Sequence, residues 1–318
     1  MKVHITYTPD ALDVLRAELD PAIELTIGPE LPQPAEFEIL VGGRPSMEEL
    51  SASPNLHSLV IPWAGLPVVT RDKLIDFPQI SVHNLHHNAS MTAEMAMMLL
   101  LSAARFLIPY DRSLRANDWS IRYKPNPSMS LAGKTALVLG FGRIGRRVAR
   151  VLQAMDMHVI ATRRHPTQDH EDGVEIHGPD ELHDLLPRAN VLIITLPETA
   201  ETQGIISTEE IAAMPQGSIL INVGRGPIVD QYALYDALKS GHLRAAGADV
   251  WYNYPPSAEE TKNVPPADVP FNKLDNFIMS PHCGGRTSET EPLRMIHLAS
   301  LLNTAARGEK MPNKVVAR

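Results

Sequence analysis

The stretch from Lys134 to Arg150 constrains this chain more than any other. Thr135–Leu139 is a short apolar run of the kind that forms a buried parallel strand, and Ile144, Val148, Val151 and Leu152 then recur at helical spacing. Between the two, Gly140, Gly142 and Gly145 fit the pattern G-x-G-x-x-G. That spacing lets backbone approach a pyrophosphate at a helix N-terminus, where unpaired N–H groups and the helix dipole attract negative charge. Strand, tight turn and helix in this order point to a bound dinucleotide. The competing reading is a turn that is tight for packing alone, because glycine serves both purposes.

At 318 residues the chain has room for about two domains. Its net charge of −8, with 29 basic and 37 acidic residues mixed throughout, argues against a nucleic-acid surface or an anionic-membrane binder and favours small-molecule chemistry. The N-terminus carries one early lysine, Lys2, and no long apolar core, so a signal peptide is not expected. The single cysteine, Cys283, excludes an intramolecular disulfide and fits a reducing, cytoplasmic setting.

A β/α rhythm runs along the whole chain. Strands are expected at 2–7, 23–27, 37–41, 59–61 and 80–83, with helices near 10–19 and 46–51. A long apolar helix follows from Met91 to about Ala116, kinked at Pro109, and residues 117–130 form a loop that crosses between domains. Beyond the glycine stretch, strands at 158–162, 191–195, 218–223, 244–250 and 277–279 alternate with helices at 180–186, from Ser207 and at 230–240, a doubly wound order of six parallel strands. A last helix spans about 287–307.

Ligands of such sheets collect beyond the carboxyl ends of the strands. The polar residues there are Thr162, Arg163 and Arg164; Thr195 and Pro197; Asn222 to Gly226; Asp249 to Trp251; and Pro281 to Gly285. With the glycine turn, this set resembles the D-2-hydroxyacid dehydrogenase family, which includes glyoxylate/hydroxypyruvate reductases and formate dehydrogenases. The resemblance covers nearly the whole chain. It implies two doubly wound parallel-sheet domains, a Rossmann cofactor domain (99–286) inserted into a flavodoxin-like substrate domain (1–98, completed by 287–318), with chemistry in the cleft between them and a homodimer formed through the cofactor domain.

By the same resemblance Arg225 binds substrate, its planar fork suited to a carboxylate or carbonyl oxygen, and His282 is the acid/base, with a pKa near neutrality that serves both directions. Gly140, Gly142, Arg143, Ile144, Gly145, Thr195, Pro197, Val223 and Asp249 line the dinucleotide, with Asp249 at the nicotinamide carboxamide. Trp63, Ala64 and Gly65 offer N–H groups to the substrate carboxylate, and Asn88 is a further substrate contact. One member is missing: the family's glutamate that charges the histidine is replaced by Tyr254. Either this phenol orients His282, or Glu259 or Glu260 substitutes; formate dehydrogenases carry a neutral glutamine there and donate no proton.

Cofactor choice is read from the end of the second strand. An NAD enzyme places an acid there, about 20 residues past the glycines, to accept from the ribose hydroxyls. This chain has Arg163 and Arg164, with Thr162 before them, which favours NADP(H) with NAD(H) as alternative. His86 and His87 lack acidic or cysteine partners nearby and read as loop, with no metal site expected. The expected activity is hydride transfer between NADP(H) and a small 2-oxo or 2-hydroxy acid. A dinucleotide sensor without turnover and a formate-type hydride abstraction are the alternatives.

Overall fold

A computed structural model describes residues 1–257 and 259–315, and it divides into two compact units, Met1–Asn88 with Arg286–Arg318, and Ala89–Gly285. The strands are β1 Lys2–Ile5, β2 Glu24–Ile27, β3 Ile39–Val41, β4 Ser58–Ile61, β5 Ser81–Asn84, β6 Thr135–Leu139, β7 His158–Thr162, β8 His170–Glu171, β9 Val174–His177, β10 Val191–Ile194, β11 Ser218–Asn222, β12 Leu243–Ala248, β13 Phe277–Met279 and β14 Lys314–Val315.

In the first unit the sheet order is β14-β5-β4-β3-β1-β2, parallel except for the antiparallel β14 edge. The order 2-1-3-4-5 is that of flavodoxin-like sheets, as expected. Strand side chains alternate between two cores. Val3, Ile5, Ile39, Val41 and Val60 pack with Leu298, Leu301 and Leu302 of the helix Thr290–Ala306, and Leu40, Leu59 and Ile61 pack with Phe37, Leu50 and Leu74.

The second unit has the order β13-β12-β11-β10-β6-β7-β9-β8. Counted from β6 and leaving out β8, this is the 3-2-1-4-5-6 arrangement of dinucleotide-binding sheets, extended by β13. The period-2 alternation is visible within one strand: Ala136 and Val138 face the core shared with the helices Ala89–Arg105 and Arg143–Ala154, whereas Leu137 and Leu139 face Leu182, Leu185 and Leu234.

Three expectations need correction. The sheet holds more than six strands, because β8 and β9 form a hairpin and β9 joins as a further parallel strand beside β7. The Met91 helix is two helices, Ala89–Arg105 and Leu107–Arg115, bent by 69°. The break lies at Phe106, whose φ of 55° is left-handed, and not at Pro109, which sits in the first turn of the second helix where its missing N–H leaves no bond unmade. Finally, the compact units meet at Asn88 and Ala89 rather than at 98 and 99, since the helix Ala89–Arg105 packs along the second sheet as one piece. Among the described residues no single helix is long and apolar enough to cross a membrane.

Candidate active site

The glycine turn is built as its sequence requires. Gly140 has a φ of 97°, which other residues rarely adopt, and a Cβ on Gly145 would stand 2.3 Å from the Gly140 carbonyl oxygen. Gly145 therefore lets the helix Arg143–Ala154 start directly against the strand end. Gly142 is different: it is exposed, a Cβ there would meet nothing within 4 Å, and as the N-cap it offers no side chain to the helix. The open space and the uncapped 12-residue helix fit a pyrophosphate. Thr195 holds the turn by donating its hydroxyl to Gly140 O at 2.7 Å, and Phe141 N–H donates to Thr162 O at 2.8 Å. Ile144 is half-buried against the core, Val223 and Thr162 are buried, and Arg143 and Pro197 are exposed.

Neither predicted selectivity arginine stands alone. Arg163 donates to Glu171 at 3.3 Å, and Glu171 also forms a two-pronged pair with Arg146, whose guanidinium lies 4.7 Å from the Phe141 ring centroid. Arg164 pairs with Glu201 at 3.3 Å, both largely exposed. Glu171 arrives on the β8–β9 hairpin, which sequence reading missed. Its signal was present: Asp172 and Gly173 form the two-residue turn, both with positive φ (52° and 75°), and Asp-Gly is a strong hairpin dipeptide.

Arg225, His282 and Tyr254 belong to the same unit and lie around the carboxyl ends of β11, β12 and β13. Arg225 is half-buried, donates from Nη1 to Gly224 O at 2.7 Å, and has no carboxylate in ion-pair range among the described residues. The glycines beside it serve protein packing: a Cβ on Gly226 would stand 2.2 Å from Trp251 O, and one on Gly224 2.6 Å from Leu196 O.

His282 carries a left-handed φ of 56°, a strained conformation of the kind that clusters at functional sites. Asp249 sustains it. This carboxylate, 3% exposed, accepts from Ser280 Oγ (2.7 Å) and Cys283 N–H (2.9 Å) on Oδ1 and from Gly284 N–H (2.8 Å) on Oδ2, so it closes the turn around His282.

Tyr254 reaches His282 directly, with Oη 2.8 Å from Nδ1, and the same oxygen accepts from Trp251 N–H at 3.1 Å. Desolvation keeps the phenol above its usual pKa, so it is neutral. Partial loss of water, and then the Arg225 guanidinium, push His282 below the ordinary imidazole value, against an opposing pull from Asp249. No carboxylate contacts His282 among the described residues, Glu259 and Glu260 included. Trp251 is buried and connects the parts: its Nε1 donates to Ser280 O at 2.7 Å and its main chain meets both Tyr254 and Gly226.

The predicted substrate contacts Trp63, Ala64, Gly65 and Asn88 fall in the first unit. The Trp63 ring packs on Gly43, where a Cβ would come within 1.8 Å, and Asn84 Nδ2 holds Ala64 O at 2.5 Å. The N–H groups of Ala64 and Gly65 donate to no acceptor among the described residues. His87 is buried and accepts from Arg294 Nε at 3.4 Å.

Residues 97–284 match the family model described as D-isomer specific 2-hydroxyacid dehydrogenase, NAD binding domain. The chain is 35% identical over 270 residues to D-3-phosphoglycerate dehydrogenase of Mycobacterium leprae, a match covering 84% of this chain and 48% of that protein, so it spans about half the length of this relative. It is 35% identical over 228 residues to glyoxylate reductase of Korarchaeum cryptofilum, covering 70% and 65% respectively. Among solved structures it resembles the D-isomer specific 2-hydroxyacid dehydrogenase of Xanthobacter autotrophicus Py2 in complex with NADPH and MES, with a TM-score of 0.81 and 25% identity over 100% of this chain and 98% of that one. With more than half of its length under that model and its sheet orders and glycine turn in agreement, the chain belongs to the D-isomer specific 2-hydroxyacid dehydrogenase family.

Proposed function

We propose that the chain is a nicotinamide-dependent oxidoreductase that interconverts a small 2-oxo acid and its 2-hydroxy acid. The observation that carries this reading is the grouping of Arg225, His282 and Tyr254 at the carboxyl edge of a sheet whose glycine turn fits a dinucleotide. A nicotinamide bound at that turn supplies the hydride. Arg225 presents its remaining donors to the substrate's carboxylate and 2-oxygen. His282 gives a proton from Nε2 to the 2-oxygen during reduction and takes it back during oxidation. Tyr254 holds Nδ1 in either protonation state: its oxygen accepts from an Nδ1–H, and its hydroxyl donates to a bare Nδ1.

A pH dependence follows. The acid form of His282 is needed for reduction, and its pKa lies below the usual value of about 6.5. Reduction of glyoxylate or hydroxypyruvate therefore loses kcat/KM as pH rises through a midpoint on the acidic side of that value, and oxidation gains over the same range. A midpoint at or above about 7 in the pH–rate profile contradicts this assignment.

We infer a preference for NADP(H) from Arg163 and Arg164. Changing both to alanine should weaken NADPH binding about tenfold or more and NADH binding little, because charge-assisted bonds to a phosphate contribute about 1.5–3 kcal/mol. Fluorescence titration with each cofactor measures it, and equal losses count against the preference. A homodimer and a cytoplasmic setting belong to the same proposal; exposed Met98, Leu101, Leu107, Ile108 and Leu114 supply apolar surface for self-association.

A further inference from the structure

We propose that the preferred substrates of this site include 2-imino acids, the protonated C=N products that a 2-oxo acid and an amine form with loss of water, which the site reduces to 2-amino acids. The inference rests on the hydride-transfer reading above and concerns which double bond receives the hydride.

The argument starts from what supports His282. A carboxylate at Nδ1 stabilises the imidazolium, and both ring nitrogens are then donors. That arrangement suits a carbonyl oxygen, which accepts, and opposes an iminium, whose nitrogen bears hydrogen and positive charge. Here the partner is the neutral Tyr254 hydroxyl at 2.8 Å. In the tautomer whose Nδ1–H donates to this phenol oxygen, Nε2 keeps its lone pair and accepts from an iminium N–H.

The charges facing the ring agree. Arg225 opposes a cationic His282, Asp249 pulls the other way, and both oxygens of Asp249 are held by Ser280, Cys283 and Gly284. Glu198 acts on Tyr254, and Cys283 bonds Ser280. A fixed cation at Arg225 still fits the substrate carboxylate.

The step balances without an acid. Hydride from a dihydronicotinamide forms the new C–H bond as the C=N π electrons become the nitrogen lone pair. The product is a neutral amine, which takes its proton from water on release. Reduction of the C=O of a 2-oxo acid, by contrast, needs a proton for the oxygen, which a neutral imidazole gives poorly.

The experiment follows oxidation of NADPH and of NADH with pyruvate or glyoxylate, with and without methylamine, between pH 7 and 9.5. We expect methylamine to raise the rate about tenfold near pH 9, with an N-methyl amino acid found by mass spectrometry. The cofactor-free protein gives a second readout, the pKa of His282 by NMR, which Tyr254→Glu should raise while shifting preference toward the bare 2-oxo acid. Reduction of the oxo acid with no gain from amine overturns the inference and leaves the hydride-transfer reading standing. An unchanged His282 pKa and unchanged preference in Tyr254→Glu also overturn it. Oxidation of neither cofactor with either substrate overturns both readings. The amine dependence of the unmodified protein needs no variant, so poor folding of Tyr254→Glu leaves the test intact.

Discussion

Arg225→Lys should lower kcat/KM for 2-oxo acid reduction about 10²–10³-fold while leaving thermal stability within about 1 kcal/mol of the parent. One guanidinium donor is committed to Gly224 O, which fixes the fork in place and leaves its other donors for the ligand. Lysine supplies one compact charge and no planar fork, so it cannot hold the backbone oxygen and two substrate oxygens together. The stability half of the expectation follows from the half-buried setting and the lack of a carboxylate partner among the described residues. Steady-state kinetics beside a melting curve check both halves. A variant with nearly full kcat/KM removes Arg225 from the site; a large fall in Tm assigns it to the scaffold.

The parts of the molecule legible in its sequence are those written in periodic or local chemistry. The apolar run of β6 and the spacing of Gly140, Gly142 and Gly145 announced strand, turn and helix, because each depends on near neighbours. Contacts between distant segments left weaker marks. The purpose of Gly224 and Gly226 is not visible beside them, because the atoms they make room for belong to Leu196 and Trp251. The linking role of Trp251 is likewise absent from its neighbours in sequence, since an indole N–H facing Ser280 O is a tertiary fact. The helix break at Phe106 went to Pro109 because proline is the usual punctuation, yet a proline in a first turn is compatible with the helix. Glu171 lies in a five-residue polar run, and its only local mark is the Asp172-Gly173 turn that follows it. For Tyr254 the sequence showed that a carboxylate was absent; only the 2.8 Å contact with Nδ1 showed what replaced it.

Asp249→Asn should cost the cofactor-free protein about 3–5 kcal/mol, seen as a Tm lower by on the order of 10 °C, together with most of its activity. The carboxylate is buried and serves Ser280, Cys283 and Gly284 at once. Asparagine keeps one carbonyl oxygen for the first two but turns an amide N–H₂ toward Gly284 N–H, leaving two donors facing each other in a buried setting. Relief by movement is restricted, because a Cβ placed on Gly284 would already lie 2.9 Å from the Met95 side chain, so the loop is pressed against the helix Ala89–Arg105 on that side. Ser280→Ala removes a single donor and should cost only about 1 kcal/mol. The His282 φ of 56° makes the loss local as well as global: with the carboxylate gone, little opposes relaxation of that residue, and the 2.8 Å contact to Tyr254 goes with it. Melting curves without cofactor separate this role from the nicotinamide contact that the family resemblance implies. If Asp249→Asn melts with the parent and only cofactor affinity falls, Asp249 contacts the ligand and the loop around His282 stands without it.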